Sequence, residues 1–268
     1  MQPKVTKIKA QRRRGRYNVY LNGRYAFPIS EDVLIHYRIF KGKVVSPELK
    51  NKLIQADQIA KLYSRAVSFL EHHLRTEREI RRKLRKWTDD QPKITRVIDK
   101  LKRLNLVDDQ NYADCYVRTV VREQKYGPQV IKRKLSLKGI ANDQIAGALT
   151  NFYPPRVVLK NAVRQAKRQF RHYYRDAFRR RIQKLRTNLA RKGYPFDVIS
   201  SAIAQADFRV DPKQQENLLN QRARLAWRHY RNRNRQQRCF KTKRYLFRQG
   251  FSIDQINPIL NKIADQNR

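Results

Sequence analysis

The sequence is short of the residue types that catalytic and metal sites draw on. Its 268 residues include two cysteines, five histidines and eight glycines. Cys115 and Cys239 lie too far apart for a metal-binding or redox motif, so we expect a reducing compartment. The histidines have no metal-ligand spacing to a cysteine or an acid, and no glycine-rich phosphate loop is present. We therefore predict no catalytic residue, no metal ion and no cofactor.

Long apolar runs and acidic residues are also scarce. No apolar run approaches the ~20 residues that cross a bilayer, and no signal-peptide pattern stands at the start. These features predict a soluble, cytoplasmic protein without a membrane partner. Against 22 acidic residues stand 63 lysines and arginines, which give a net charge of +41. So basic a balance favours a polyanionic partner such as nucleic acid.

One stretch is present three times with the same internal spacing. The copies are Leu135…Gly139…Asp143, Leu189…Gly193…Asp197 and Leu246…Gly250…Asp254. A degenerate copy begins at Leu84 and has Thr88 where the glycine would stand. The four leucines are 51, 54 and 57 residues apart, which indicates a repeat of about fifty residues.

Each copy is typical of one helix ending and the next beginning. The leucine closes a basic amphipathic helix, and the glycine supplies the left-handed conformation that ends it. Asn142 and the Ser252–Gln255 pair are the expected caps of the following helix, and Pro195 suits a first helical position. We interpret the motif as structural.

The rest of the chain divides into a β-rich start and a helical remainder. Residues 4–28 predict strands, with a hairpin turn at Asn22-Gly23. The basic loop Arg12–Arg16 suits either nucleic-acid contact or simple solvation. Thr76–Glu79 is a capping box that opens a helix. The predicted apolar face of that helix is Ile80, Leu84 and Trp87.

The expected fold class is mainly α, with tandem three-helix repeats in an elongated, curved array and a small N-terminal module that contains the β-hairpin. The predicted boundaries are 1–46 for this module and 47–107, 108–153, 154–207 and 208–268 for the four repeats.

The net charge is +17 over residues 1–107, +2 over 108–155 and +22 over 156–268. The positive charge is therefore concentrated in the two flanks.

A helical wheel separates the third repeat's first helix into an apolar side and a basic side. The apolar side is Leu159, Ala162, Ala166, Phe170 and Tyr173. The basic side, roughly 150° away, is Lys160, Arg164, Arg168, Arg171 and Arg175. Like charges four residues apart destabilise a helix by a few tenths of a kcal/mol per pair, so we favour a surface facing phosphates or an acidic protein over plain solvation. Arg222 and Arg228 are further candidates in the fourth repeat.

Several stretches of the sequence resemble those of a known protein family. The stretches Tyr17–Phe27 and Ser30–Leu34 are similar to the N-terminal segment of RecX proteins from Gram-positive bacteria. Leu106–Ala113, continuing to Arg118, resembles the most recognisable motif of that family, and Lys125–Ile140 resembles the element that follows it. The resemblance covers nearly the whole chain, and Arg118 becomes a contact candidate through it.

The resemblance implies a non-enzymatic regulator of the RecA recombinase, active in DNA repair, DNA recombination and the SOS response. Family members lodge in the groove of the RecA–DNA filament, oppose strand exchange and ATP hydrolysis, and favour disassembly. The implied partners are the RecA filament and single- and double-stranded DNA, and a monomer is expected. Thr88 and the very basic second half depart from the family pattern.

Charge alone supports an alternative, a general, sequence-independent nucleic-acid-binding protein with no filament partner. A nuclease is a more distant possibility, because it would need the acidic cluster of Asp108, Asp109 and Asp114 to hold metal ions. Helix capping explains those acids better than a two-metal site does.

Overall fold

The computed structural model describes residues 2–265, which form a small antiparallel sheet and thirteen helices. The sheet contains β1 (Val5–Ala10), β2 (Arg16–Leu21) and β3 (Arg24–Ser30), hydrogen-bonded in that order. Asn22 and Gly23 join the last two strands with φ angles of 48° and 80°. Positive φ at both positions is what a type I′ hairpin turn requires, so the predicted hairpin is confirmed.

A short helix, α1 (Glu31–His36), follows the sheet, and the helical remainder is a succession of three-helix units. The further helices are α2 (Pro47–Leu70), α3 (Glu77–Leu84), α4 (Gln91–Arg103), α5 (Asp109–Glu123), α6 (Pro128–Leu137), α7 (Asn142–Phe152), α8 (Pro155–His172), α9 (Phe178–Arg191), α10 (Phe196–Ala206), α11 (Pro212–His229), α12 (Arg235–Arg248) and α13 (Ile253–Asp265). The predicted class, mainly α with tandem three-helix repeats and a small β module, is confirmed.

The chain packs into two compact units, each built from two stretches of sequence. The first unit holds the residues up to Ala113 together with Leu137–Gln144, and the second holds Asp114–Ser136 and the residues from Ile145 onward. In the first unit, one core lies between the sheet, α1 and the start of α2, and a second core lies among α2, α3 and α4. In the second unit, a core joins Ala177 to the helices α11, α12 and α13.

A buried carboxylate fixes the sheet to α2 in the first unit. Asp57, only 3% exposed, accepts two hydrogen bonds from the Arg16 guanidinium at 2.6 and 3.1 Å. The Ser30 backbone N–H donates a third at 2.8 Å, and the Lys61 ammonium lies 3.0 Å away. Arg16 is therefore structural, whereas the side chains of Arg12–Arg14 are exposed at the loop. Charged hydrogen bonds to a buried carboxylate are among the stronger local restraints.

The three repeat glycines end the middle helices α6, α9 and α12 with positive φ, as predicted. Their φ angles are 90° at Gly139, 86° at Gly193 and 97° at Gly250. Each glycine also approaches the start of the middle helix in the preceding repeat. The neighbours of a Cβ built on each glycine would be Arg78 Cβ at 2.6 Å for Gly139, Val130 N at 2.5 Å for Gly193 and Arg180 N at 2.9 Å for Gly250. Glycine is therefore needed both for the turn and for the close packing of repeats.

The residue before each glycine binds the same neighbouring helix start. The Lys138 carbonyl accepts a 2.8 Å hydrogen bond from the Thr76 hydroxyl, and the Lys192 carbonyl accepts a 2.7 Å bond from the Gly127 N–H. At the third junction the Gln249 side chain accepts a hydrogen bond from Arg180. The first repeat follows the β module and has no three-helix repeat before it. The turn at Thr88 therefore does not pack against the middle helix of a preceding repeat. This explains why threonine can replace glycine there.

Most of the predicted caps are present. Thr76 and Glu79 form the expected capping box, and Ser252 and Gln255 form a second one. The Asn142 cap was wrong, because α7 already begins at Asn142 and the Gln144 side chain instead accepts a 3.4 Å bond from the Ala141 N–H. Gln144 is the third residue of α7, so its side chain reaches back to the backbone N–H that precedes the helix.

Two further expectations need correction. Pro195 lies one residue before α10, as its N-cap and not as its first helical residue. Trp87 is 40% exposed and lies beyond the end of α3, so it is not part of the buried face that Ile80 and Leu84 form. Its ring is instead covered by the Arg65 guanidinium at 4.8 Å and approached by the Lys83 ammonium at 5.4 Å. Cations over an indole face stabilise such a half-exposed position.

Candidate nucleic-acid interface

The long helix α8 presents a row of cations on its exposed side. Lys160, Arg164, Arg168 and Arg171 are all exposed on this helix, and we call these four residues the α8 stripe. The opposite side is buried against α9 and α10 through Val158, Ala162, Ala166 and Phe170. The predicted division of this helix into an apolar and a basic side is therefore present, but Leu159 and Tyr173, predicted on the apolar side, are only half-buried, and Val158 is buried instead.

The fifth member predicted for this row lies off the helix. The helix α8 ends at His172 with Tyr173 as its C-cap, so Arg175 occupies the turn that follows. The Arg175 side chain is exposed, and its Nε donates a 2.7 Å hydrogen bond to the Tyr174 hydroxyl. The wheel assumed that the helix continued to residue 175, and this assumption was wrong.

Two buried amides, which were not predicted as functional residues, hold α8 in place. Asn161 Nδ2 donates a 3.2 Å hydrogen bond to the Val121 carbonyl, and Gln165 Nε2 donates a 2.6 Å bond to the Gln124 carbonyl. Val121 lies in the last turn of α5 and Gln124 directly after it, where carbonyls lack the regular i to i+4 donors of a helix. Their signal in the sequence is a pair of amides four residues apart beside the alanines of the apolar side.

The same anchor includes a lysine. Lys192 Nζ donates a 2.5 Å hydrogen bond to Gln165 Oε1. Burial lowers the pKa of Lys192, and the positive charges of Arg168 and Arg191 act in the same direction. The α8 stripe is therefore carried by a helix whose backbone is fixed from its buried side.

The predicted binding residues outside α8 differ in how exposed their side chains are and in what they contact. Arg222 is half-buried, and its guanidinium donates to the Gln249 side chain and to the Arg175 carbonyl. It therefore holds the fourth repeat to the turn after α8. Arg228 is exposed on α11. Arg118 is also exposed, with its guanidinium 4.8 Å above the Phe152 ring.

The helix α12 adds an exposed face that combines aromatic rings with a cation, which the sequence analysis also missed. Phe240 and Phe247 are 66% and 54% exposed, and the exposed Arg244 lies between them along the helix. Positions four and seven residues apart share one side of a helix. Exposed rings beside cations are typical of surfaces on which single-stranded bases stack.

The acids that a nuclease would need have structural partners. Asp108 caps α5 by accepting a 3.0 Å bond from the Asn111 N–H, and Asp109 accepts a 2.9 Å bond from the Glu77 N–H. Burial raises the pKa of Asp109. Within residues 2–265, the histidines, cysteines and acids form no group of three or more that could hold a metal ion. None of the helices described is long and apolar enough to span a membrane.

A mainly helical chain of tandem three-helix units is a helical repeat protein. Four family models of RecX match it: the N-terminal domain at residues 3–46, the first three-helix domain at 63–101, the second at 108–149 and the third at 158–203. This chain belongs to the RecX family of regulatory proteins, and a regulatory role follows from that membership.

Relatives with the same description cover almost the whole chain. Regulatory protein RecX of Levilactobacillus brevis is 39% identical over 97% of this chain and 98% of its own. Regulatory protein RecX of Bacillus subtilis is 32% identical over 97% of this chain and 98% of its own.

Two solved structures are also similar. A crystal structure of regulatory protein RecX is 39% identical, covers 75% of this chain and 99% of its own, and superposes with a TM-score of 0.68. The crystal structure of RecX from Lactobacillus salivarius is 36% identical, covers 57% of this chain and 98% of its own, and has a TM-score of 0.54.

Proposed function

We propose that this protein is a non-enzymatic, cytoplasmic regulator of the RecA recombinase. It binds the RecA–DNA filament as a monomer and inhibits recombinase and ATPase activity, thereby modulating DNA repair, recombination and the SOS response. The observation that carries the proposal is the α8 stripe on a fixed helix in a member of the RecX family.

The spacing of the α8 stripe suits a nucleic-acid backbone. Residues four apart on a helix are separated by about 6 Å along its axis, as are Lys160, Arg164 and Arg168. Alternate phosphates of one B-DNA strand are separated by about 6.8 Å along the duplex axis. Arginine additionally offers paired N–H donors that match phosphate oxygens. Contacts of this kind position a protein on DNA without reading its sequence.

The exposed face of α12 supports contact with single strands. Phe240 and Phe247 offer rings for bases to stack on, and Arg244 lies between them. A filament regulator that meets both strand forms would use the α8 stripe on phosphates and this face on unpaired bases.

The second candidate function is general nucleic-acid binding without a filament partner, which the net charge of +41 favours. The two candidates differ in what they require of RecA. A generic ligand competes for DNA wherever DNA is free. A filament regulator acts on DNA that RecA already covers.

A titration of preformed RecA filaments on single-stranded DNA distinguishes the candidates. We expect the rate of ATP hydrolysis by RecA to fall as the protein is added, because it binds the assembled filament. The length of the DNA should remain unchanged on a denaturing gel with magnesium present. An unaltered ATPase rate, at concentrations that saturate bare DNA, would leave only generic binding. Cleavage of the strand would instead reveal an enzyme.

A further inference from the structure

The second unit contains an apolar cleft that the basic surface does not explain. It lies between the starts of α9, α11 and α13 and has a volume of about 650 Å³. Its apolar lining includes Phe178, Val210, Pro212, Leu219, Phe251 and Ile259. A cleft of this size and lining suits an apolar side chain of a partner more than a sugar-phosphate backbone.

The charge at this cleft is opposite to that of the surrounding surface. Residues 156–268 contain 29 lysines and arginines and seven acids, of which Glu216 and Asp254 both line the cleft and are exposed. Asp176, Asp207 and Asp265 each lie within 4 Å of a cation. Among the residues described, no lysine or arginine forms such an ion pair with Glu216 or Asp254.

One cation, Arg179, also lines the cleft, which leaves one negative charge in excess around its opening. A lysine or arginine beside an apolar side chain is attracted by that excess, whereas a phosphate group gains nothing from it. Complementarity of this kind selects between partners more than it adds affinity. The cleft therefore favours a protein segment over nucleic acid.

The walls of the cleft are held by hydrogen bonds and close packing. The Phe178 N–H donates a 3.1 Å bond to Gln215 Oε1, which fixes the start of α9 to α11. Gly250 lies so close to α9 that a Cβ there would be 2.9 Å from Arg180 N. Preformed walls reduce the entropy lost when a partner segment is bound.

We propose that this cleft docks a segment of the recombinase in which an apolar side chain is adjacent to a lysine or arginine. The apolar side chain enters between Val210, Leu219 and Ile259, and its basic neighbour lies against Glu216 and Asp254. The choice of the recombinase as partner rests on the proposed function. The α8 stripe then contacts DNA while this cleft contacts protein.

The repeat offers a matched pair of variants for the test, Asp254→Lys and Asp197→Lys. The two acids occupy equivalent positions of the repeat motif and are exposed in the first turns of α13 and α10. Both substitutions change the charge by two and remove the same favourable interaction with a helix N-terminus. Only Asp254 lines the cleft.

We expect Asp254→Lys to raise the concentration for half-inhibition of the RecA filament ATPase about tenfold, in the range of one lost interfacial charge contact. Asp197→Lys should stay within twofold of the unaltered protein. The two variants should bind a bare oligonucleotide equally well, because they carry the same net charge. A second pair, Val210→Ser in the cleft and Leu225→Ser on the exposed side of α11, tests the apolar part in the same assay.

The outcomes separate the cleft from the proposed function. Equal inhibition by Asp254→Lys and Asp197→Lys, with the unaltered protein still active, would overturn the cleft and leave the proposed function intact. No inhibition by the unaltered protein would overturn both. A specific loss of bare-DNA binding in Asp254→Lys would assign the cleft to nucleic acid. A change in its sedimentation coefficient alone would assign the cleft to a second copy of this chain.

Discussion

Replacing Gly193 by valine is expected to lower the free energy of unfolding by about 3 kcal/mol or more. The φ angle of Gly193 is 86°, a conformation that a β-branched residue adopts only under strain. In addition, the new Cβ would lie 2.5 Å from the backbone nitrogen of Val130 and 2.7 Å from its Cγ2. The Val130 nitrogen belongs to the backbone of α6, so it cannot shift to relieve the clash as the end of a flexible side chain could. Thermal or urea unfolding of the full chain measures the effect.

Two substitutions serve as controls for Gly193→Val. Thr88→Val places the same side chain at the equivalent turn of the first repeat and removes only the 3.2 Å hydrogen bond from the Asp90 N–H, a change of about 1 kcal/mol. Gly147→Ala lies within α7, where the new Cβ would meet no atom within 4 Å, and should stabilise by up to about 1 kcal/mol. If Gly193→Val were no more destabilising than Thr88→Val, the packing of repeats through their glycines would be wrong.

Replacing Arg164, Arg168 and Arg171 together by glutamine is expected to flatten the salt dependence of binding to duplex DNA. Each phosphate contact contributes about −0.9 to the slope of log K against log salt concentration, so three lost contacts reduce its magnitude by about 2.7. All three side chains are exposed, so the free energy of unfolding should change little. Fluorescence anisotropy of a labelled duplex at several salt concentrations measures the slope.

A control with the same loss of charge removes three cations that already have acidic partners. Lys125, Arg209 and Arg235 are exposed and lie within about 3 Å of Glu123, Asp207 and Asp265. Their replacement by glutamine should alter the slope much less than the change in the α8 stripe does. Equal slopes in the two triple variants would mean that the α8 stripe contributes only to the overall charge.

The repeat and its turns could be predicted because their signals are local. A glycine after a basic amphipathic helix predicts a left-handed turn, and Gly139, Gly193 and Gly250 all have one. The same holds for the hairpin at Asn22-Gly23. What the sequence could not show is that the turn at Thr88 has no positive φ angle and so does not need glycine.

The errors at the site arise where a helix ends and where a side chain finds a distant partner. A helical wheel carries no information about where a helix stops, so it places Arg175 on α8, although the helix ends at His172. The sequence makes Arg222 a binding candidate, whereas its guanidinium donates to the Gln249 side chain and to the Arg175 carbonyl. The apolar cleft combines residues from α9, α11 and α13, so no single stretch of sequence shows it.

The proposed function depends on whether this protein recognises the RecA filament beyond the charge of its DNA. A labelled single-stranded oligonucleotide, bare or covered by RecA, is titrated with the protein at increasing salt concentration, with filament integrity monitored in parallel. We expect binding to the RecA filament to persist at salt concentrations that abolish binding to the bare strand, because the apolar part of the cleft contributes contacts that salt does not screen. Loss of both at the same salt concentration would contradict this expectation and leave a generic DNA ligand.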